Sequence, residues 1–266
     1  MNSSGHNPSV PLQQMSVIKR RLTYMMVLVF ITFPFIYLKV NPLEILTAYP
    51  SIVSFFGENF FPPDFSGFKN YVPLIIETLL FAVVGTYISA ILAFILGLAM
   101  SENINPIALV RWLVRTFSSL VRNIPVLVWA SLLVYIFGIG SMVGLLALIL
   151  ATLGFLTRSY AETIDDIADT KLEALKANGA SPIQVIVNGL MPEFIPSWVN
   201  WTLFSFEINI RASAILGMVG AGGIGIMIQT NIRLFKYQEA LALIITLVIL
   251  ILLTEFAVTK IRKAIL

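Results

Sequence analysis

Cysteine is absent from the 266 residues and histidine occurs once, as His6 in a polar leading segment. The first absence excludes disulfides, thiolate nucleophiles and cysteine-ligated metal sites. With a lone tail histidine as well, no metal centre and no cofactor is expected. Charge is scarce: 12% of residues are Asp, Glu, Lys or Arg, and 58% are apolar. A soluble domain carries about a quarter charged residues. Half that share cannot cover a water-soluble globule, and the mean hydropathy of +0.91 agrees. The composition leaves an all-α integral membrane protein. Residues 1–18 lack an apolar core followed by a small-residue cleavage site, so no removable signal peptide is expected and the first apolar block stays as an anchor.

Apolar stretches bounded by charge, Gly or Pro predict about six membrane spans. They fall at about 22–40, 74–100, 113–137, 142–161, 194–218 and 239–259. The third and fourth are divided at Gly138-Ile139-Gly140-Ser141, because the uncharged run between Arg122 and Arg158 is too long for one span. With the N-terminus inside, Lys19, Arg20, Arg21, Arg111, Arg115, Arg122, Arg158, Lys171, Lys176, Lys260, Arg262 and Lys263 fall on the cytoplasmic side. Only Lys39, Lys69, Arg233 and Lys236 fall outside. Basic residues favour the cytoplasmic side, so both termini are expected there, in a multi-pass protein of the cell membrane. Lys19-Arg20-Arg21 reads as an orientation signal rather than a nucleic-acid site. Between the first two spans, Pro42, Pro50, Pro62 and Pro63 with four phenylalanines suggest a surface-lying segment.

The loop between the fourth and fifth spans is the richest in local signals. Thr170 with Glu173 three residues on reads as a capping box. Asn178-Gly179 reads as a left-handed stop. Ser181-Pro182 caps a second helix with Pro at its first position, and Pro192 marks the approach to the fifth span. Two short cytoplasmic helices joined by a sharp corner are expected. This loop resembles the EAA motif of permease subunits of ABC importers: Glu173, Ala174, Gly179 and Pro192 match at the family spacing. Leu175 stands for the second Ala, Gly189 for an Ile and Met191 for a Leu. The resemblance implies a type I importer permease fold, with a coupling helix that docks into an ATPase subunit.

In the fifth span Glu207 and Arg211 are four apart, hence on one helical face, with Asn209 between them. Charged residues inside spans face a bundle interior or a wet cavity. Two readings stay open: a structural ion pair locking helices, or an arginine lending positive potential to an anion route with Glu207 holding it. Gly217, Gly220, Gly222, Gly223 and Gly225 follow. Three of them satisfy GxGxxG, yet a span precedes them, and Glu239 lies too close after Gly225 for the acidic partner of a dinucleotide site. Close helix approach or irregular backbone lining a cavity explains them better.

Phe206-Glu207-x-Asn209-x-Arg211 and the glycine run that follows resemble the phosphonate (and phosphite) branch of these permeases. The Gly-Ala-Gly-Gly portion also occurs in methionine-type permeases. Arg122-Asn123-Ile124-Pro125 resembles an Arg-x-x-Pro element common to both, and Arg158 to Glu162 fits the exit from the fourth span. The likeness covers about residues 70–260. It implies a homodimer with the pathway on its axis, two ATP-binding cassette ATPase subunits, an extracytoplasmic binding protein and a phosphonate-type solute. No GxxxxGK(S/T) loop occurs, so ATP hydrolysis is expected of the partners and no catalytic residue is assigned. The expected domains are a cytoplasmic tail 1–21, an anchor 22–40, an extracytoplasmic segment 41–72, a permease core 73–260 containing the loop 170–192, and a tail 261–266. An importer of methionine or another amino acid is the near alternative. A secondary transporter is the distant one, disfavoured because no inverted repeat is visible; a membrane-embedded enzyme lacks the clustered polar residues.

Overall fold

A computed structural model describes residues 12–265, with only the backbone described at 12–16, 42, 168–174, 176 and 177. The N-terminal tail 1–11, with His6, lies outside the described residues. Every regular element described is a helix. The chain divides after Glu58 into two units.

The first unit holds α1 (Leu12–Tyr37) and nearly all of α2 (Pro42–Asn59). The apolar side chains described on α1, from Val17 to Tyr37, cover the helix all round, the pattern of a membrane span. Pro34 is accommodated inside α1, and the chain turns through Lys39 at φ 53° before α2 begins. The segment expected to lie on a surface is therefore helical over 42–59.

The second unit begins with α3 (Phe68–Met100), which is apolar around its whole circumference. Small or polar side chains mark its buried face: Ala82, Gly85, Thr86, Ser89, Ala90, Ala93 and Gly97 recur every three or four residues. That face packs on α6 (Ser141–Ala177), the most extensive helix pair in the unit. Lipid supplies no hydrophobic drive between helices, so close backbone approach through small residues takes its place. A Cβ on Gly97 would lie 3.1 Å from the Tyr160 Cβ, and one on Gly85 3.3 Å from the Leu148 Cβ.

The span expected at 113–137 is broken. Residues Ala108–Asn123 form α4 and Val126–Phe137 form α5, bent 90° to each other. Pro125 causes the break: it has no N–H to give, and it holds Ile124 in an extended conformation, φ −85° and ψ 118°. Arg111, Arg115 and Arg122 recur along one side of α4 while Leu109, Trp112, Leu113 and Leu120 expose apolar surface. That pattern suits a helix at a membrane surface. At 12 residues, α5 is about 18 Å long, short of the roughly 30 Å hydrocarbon layer.

The fourth expected span and the first expected loop helix are one element. α6 runs 37 residues without interruption, about 55 Å, so Thr170 lies inside a helix rather than at its start. A cap is worth about 1 kcal/mol, less than the continuous packing of Leu156, Tyr160 and Ile164 on α3 and α8. The second loop helix is likewise continuous with the fifth span: α7 (Pro182–Gln184), a π turn at Val185–Leu190 and α8 (Met191–Met218) follow without a gap. The π turn, closed by the Met191 N–H on the Ile186 carbonyl, takes up Pro192, which cannot bond the carbonyl four residues back. Thus α6 and residues 182–218 form a long hairpin joined by residues 178–181. α9 (Ile224–Arg233) and α10 (Tyr237–Ile265) complete the unit.

By length and composition four described helices can cross a membrane, α1, α3, α6 and α10, or five if α4 and α5 count as one broken span. Six were expected. α8 does not pass that measure, since Glu193, Glu207 and Arg211 interrupt its apolar sequence.

Substituting Gly97 with Val should lower the thermal unfolding temperature of the detergent-solubilised protein, since forcing side-chain bulk into the α3–α6 seam costs about 1–3 kcal/mol. Gly57→Ala, where an added Cβ meets nothing within 4 Å, serves as the control and should leave it unchanged or raised.

Candidate functional site

At one end of the long hairpin the chain turns through Asn178 and Gly179. Gly179 has φ 80°, and the Ala180 N–H bonds the Leu175 carbonyl at 3.1 Å. This six-to-one bond with a left-handed residue is the Schellman stop. Leu175 and Ala180 both pack against the core cluster of Tyr160, Ile164, Val185 and Phe194. Ser181 then starts the next helix with a reciprocal cap: its N–H bonds Gln184 Oε1 at 2.8 Å, and its hydroxyl accepts from the Gln184 N–H at 3.4 Å. The capping box is thus Ser181–Gln184, not Thr170–Glu173. The side chains of Glu173 and Ala174 lie outside the described residues. Pro192 is exposed near the start of α8.

An open cleft of about 380 Å³ adjoins this turn, walled by Pro182, Val185 and Ile186 on one side and by Glu102, Asn103 and Pro106 on the other. Asp165 of α6 holds that second wall. Its Oδ1 accepts from the Ser101 hydroxyl at 2.5 Å and from the Glu102 N–H at 3.1 Å. Asp165 lies well inside α6, and its partners are more than sixty residues away, beyond the reach of any local pattern.

The polar residues of α8 separate into different roles. Asn209 is 4% exposed. It donates to Thr86 Oγ1 of α3 at 2.8 Å and accepts from Thr152 Oγ1 of α6 at 3.0 Å, so it ties three helices. Glu207 does not pair with Arg211. Its carboxylate meets the Arg262 guanidinium of α10 at 3.6 Å. Arg211 is exposed, and its Nε makes a long bond, 3.5 Å, to the Glu207 backbone carbonyl. Four-residue spacing makes a pair geometrically available, but Arg262 reaches the carboxylate first. Among the described residues no carboxylate neutralises Arg211.

Arg122, exposed at the end of α4, borders a cleft of about 270 Å³ with Thr152, Phe155, Ser205 and Asn209. The end of α4 reaches this position because Gly154 lets it lie on α6: a Cβ there would sit 2.8 Å from the Arg122 nitrogen. Arg122 and Asn209 are therefore brought together. Pro125 is exposed and serves as the break before α5, whose Trp129 donates to the Val121 carbonyl at 3.2 Å.

The glycines form the turn between α8 and α9 and follow a helix, not a strand. Gly217 and Gly225 meet at the crossing: a Cβ on Gly225 would overlap the Ala214 carbonyl, and one on Gly217 would collide with Gly222. Gly220, Gly222 and Gly223 have φ of 95°, 90° and 73°, left-handed backbone that side chains resist. Close helix approach is therefore what these residues permit. Consecutive residues of α3 secure the turn. Glu77 accepts from the Gly223 N–H at 3.0 Å and from the Ser141 hydroxyl at 2.5 Å, and Thr78 accepts from the Ile224 N–H at 2.9 Å. Glu77 falls inside the span expected at 74–100, a reading that gives it no role. An acidic side chain inside an apolar helix was the available signal.

Asn209→Ala should lower stability by about 1–3 kcal/mol, because the buried Thr86 and Thr152 lose their partner. Arg211→Gln should leave thermal unfolding within about 0.5 kcal/mol of the parent. An equal loss in both variants would mean that Arg211 has a structural partner after all.

Three comparisons bear on this arrangement. Residues 90–265 match the family described as binding-protein-dependent transport system inner membrane component. The phosphite transport system permease protein PtxC of Stutzerimonas stutzeri is 32% identical over 219 residues, 82% of this chain and 79% of that protein. The phosphate-import permease protein PhnE of Mycolicibacterium smegmatis is 33% identical over 77% of this chain but only 38% of its own length. A putative cryptic phosphonate transport system permease of Escherichia coli is 34% identical over 45% of this chain and 98% of its own. Among solved structures, an inward-facing conformation of the MetNI methionine ABC transporter matches with a TM-score of 0.65 at 24% identity, covering 74% of this chain and 96% of that one. That last likeness concerns the fold.

Proposed function

The chain belongs to the family of binding-protein-dependent transport system inner membrane components, and on that premise we propose that it is the membrane-spanning subunit of an ATP-driven importer of phosphonate or a related phosphorus oxyanion. The observation that carries the solute class is the 32% identity to a phosphite permease across 82% of the chain. The methionine alternative rests on a shared fold at lower identity and is the weaker reading.

The chemistry of α8 agrees with an anion route. Arg211 stands exposed there without a carboxylate partner among the described residues, because Glu207 is engaged by Arg262. Phe204, Ile208, Arg211, Ile215 and Met218 lie on one exposed stripe of α8, at spacings of three and four. In a homodimer with the pathway on its axis, that stripe faces the second copy. A cation there attracts a phosphorus oxyanion, and apolar neighbours strengthen the attraction by lowering the local dielectric. Arg122 at the mouth of its cleft adds a second positive charge.

The turn at 178–181 is the coupling element in this reading. It caps the far end of a helical hairpin longer than a bilayer is thick, so it stands clear of the membrane where an ATPase subunit can seat it. Glu173, Ala174, Leu175, Gly179 and Pro192 are its matched positions. The packing of Leu175 and Ala180 on the buried core, together with the Ser181–Gln184 cap, makes the turn stiff. Displacement of the turn then moves α6 and α8 rather than dissipating. Two ATPase subunits hydrolyse ATP, a binding protein delivers solute on the opposite face, and both termini are cytoplasmic.

Uptake of labelled methylphosphonate and phosphite into cells lacking the chain tests this, with all partner subunits supplied. The wild-type chain should restore uptake, and Glu173→Lys should not, though it remains in the membrane. Arg211→Gln should reduce uptake about tenfold or more, in line with loss of one charge-assisted contact, with ATPase subunits still bound. Restored methionine uptake with no phosphorus uptake would overturn the solute class.

A further inference from the structure

Glu77 is a carboxylate within a helix otherwise free of charge from Val72 to Met100, yet it is neither a span boundary nor part of the polar set on α8. It sits where two helices begin. Its Oε1 accepts from Ser141, the first residue of α6, and its Oε2 accepts from Gly223, the residue that caps α9. Helix N-termini carry partial positive charge and unsatisfied N–H groups. One carboxylate between two of them is stabilised by both, which is how an acidic group is held at this depth. Thr78 adds a bond to the next N–H, of Ile224, and its carbonyl accepts from Ser213 of α8 at 3.3 Å.

The turn these groups grip is a plug. Ala221 is fully buried, and a Cβ on Gly144 of α6 would lie 2.6 Å from its carbonyl oxygen. A Cβ on Gly222 would touch the Glu77 carboxylate at 3.0 Å, and one on Gly223 would lie 2.7 Å from the Thr78 hydroxyl. The plug lies at the end of α8 opposite the 178–181 turn. Phe81 of α3, Leu148 of α6 and Ile139 flank this joint, and polar bonds from α3 with close backbone contact hold the turn in it.

We propose that Glu77 is a positioning residue that latches the glycine turn 219–223 onto α3 and the start of α6, keeping the end of the bundle opposite the coupling turn closed until the transport cycle draws α8 away. The proposal rests on the importer reading, in which that end must open to receive solute. Departure of the turn breaks the adjacent Gly223 and Ile224 bonds to α3 at once, so the latch gives two defined states rather than a gradual loosening. The turn itself, Val-Gly-Ala-Gly-Gly over 219–223, carries one bulky side chain, so it leaves and returns with little rotamer exchange of its own.

The absence of cysteine makes the test direct. Ala221→Cys is introduced into the full complex with its ATPase and binding protein, and modification by a membrane-impermeant maleimide is followed on this chain by mass spectrometry. Ala161→Cys, at a position 1% exposed on α6 away from the turn, reports general loosening. In the resting complex the thiol introduced at position 221 should react slowly. Adding Glu77→Ala should raise its rate about tenfold or more, the scale of one charge-assisted bond, and should raise ATP hydrolysis in the absence of binding protein. Ser141→Ala, which removes one arm, should fall between, and the thiol at position 161 should stay unreactive throughout. Unchanged labelling at position 221 in the Glu77→Ala background overturns the latch, and so does a parallel rise at position 161. The labelling uses no solute, so a wrong solute assignment leaves this outcome untouched.

Discussion

Close approach of α3 and α6 is the constraint from which the rest of the second unit follows. Water squeezes apolar helices together, but lipid does not. The two helices instead come near enough for dispersion and backbone-level bonds because α3 presents Ala, Gly, Ser and Thr along one face. Ser89 bonds the Ile149 carbonyl across the seam at 3.1 Å. With that pair set, α8 is fixed by Asn209, which reaches one threonine on each helix. The end of α4 rests on Gly154 of α6, and the glycine turn rests on Gly144 of α6 and on Glu77 and Thr78 of α3. α8, the end of α4 and the glycine turn thus all dock on the α3–α6 pair, while α10 packs on α8 and α9.

The same constraint explains what the sequence disclosed and what it hid. Hydropathy identified the long apolar helices, and basic residues suggested an orientation, because both are sums over many residues. Hydropathy was blind to Pro125. The uncharged run continues across it, while one missing N–H and one restricted neighbour turn the chain by 90°. The Arg-x-x-Pro pattern was visible as a family likeness but not as a bend. At Thr170 the error ran the other way: a local cap pattern suggested a helix start, and tertiary packing carried α6 straight through it. At Gly179 and Ser181–Gln184 local rules held, since nothing outside the turn competes with them.

Partners distant in sequence were the least legible part of the site. Glu207 and Arg211 share a helical face, and spacing alone offered them to each other. Arg262, fifty-five positions after Glu207, takes the carboxylate instead. Asp165, Glu77 and Thr152 are similar, each bonded to a residue more than fifty positions away. Periodicity describes one element at a time and carries no information about which residue a second element will bring.

That redistribution separates framework from route. A charge in an apolar bundle is stable when paired, or when it borders water. Glu207, Asp165 and Glu77 are all engaged by donors from other elements, so in this chain the described acidic groups near the bundle mostly serve to hold it. Arg211 and Arg122 are exposed and border an open stripe and a cleft. Fixing the anionic groups in the frame leaves the positive potential uncancelled along the proposed oxyanion route. Had Glu207 closed onto Arg211 instead, the stripe on α8 would be neutral and would attract a phosphorus oxyanion no better than a zwitterionic amino acid. The Glu207–Arg262 bond is thus the structural choice on which the proposed preference for an anion depends.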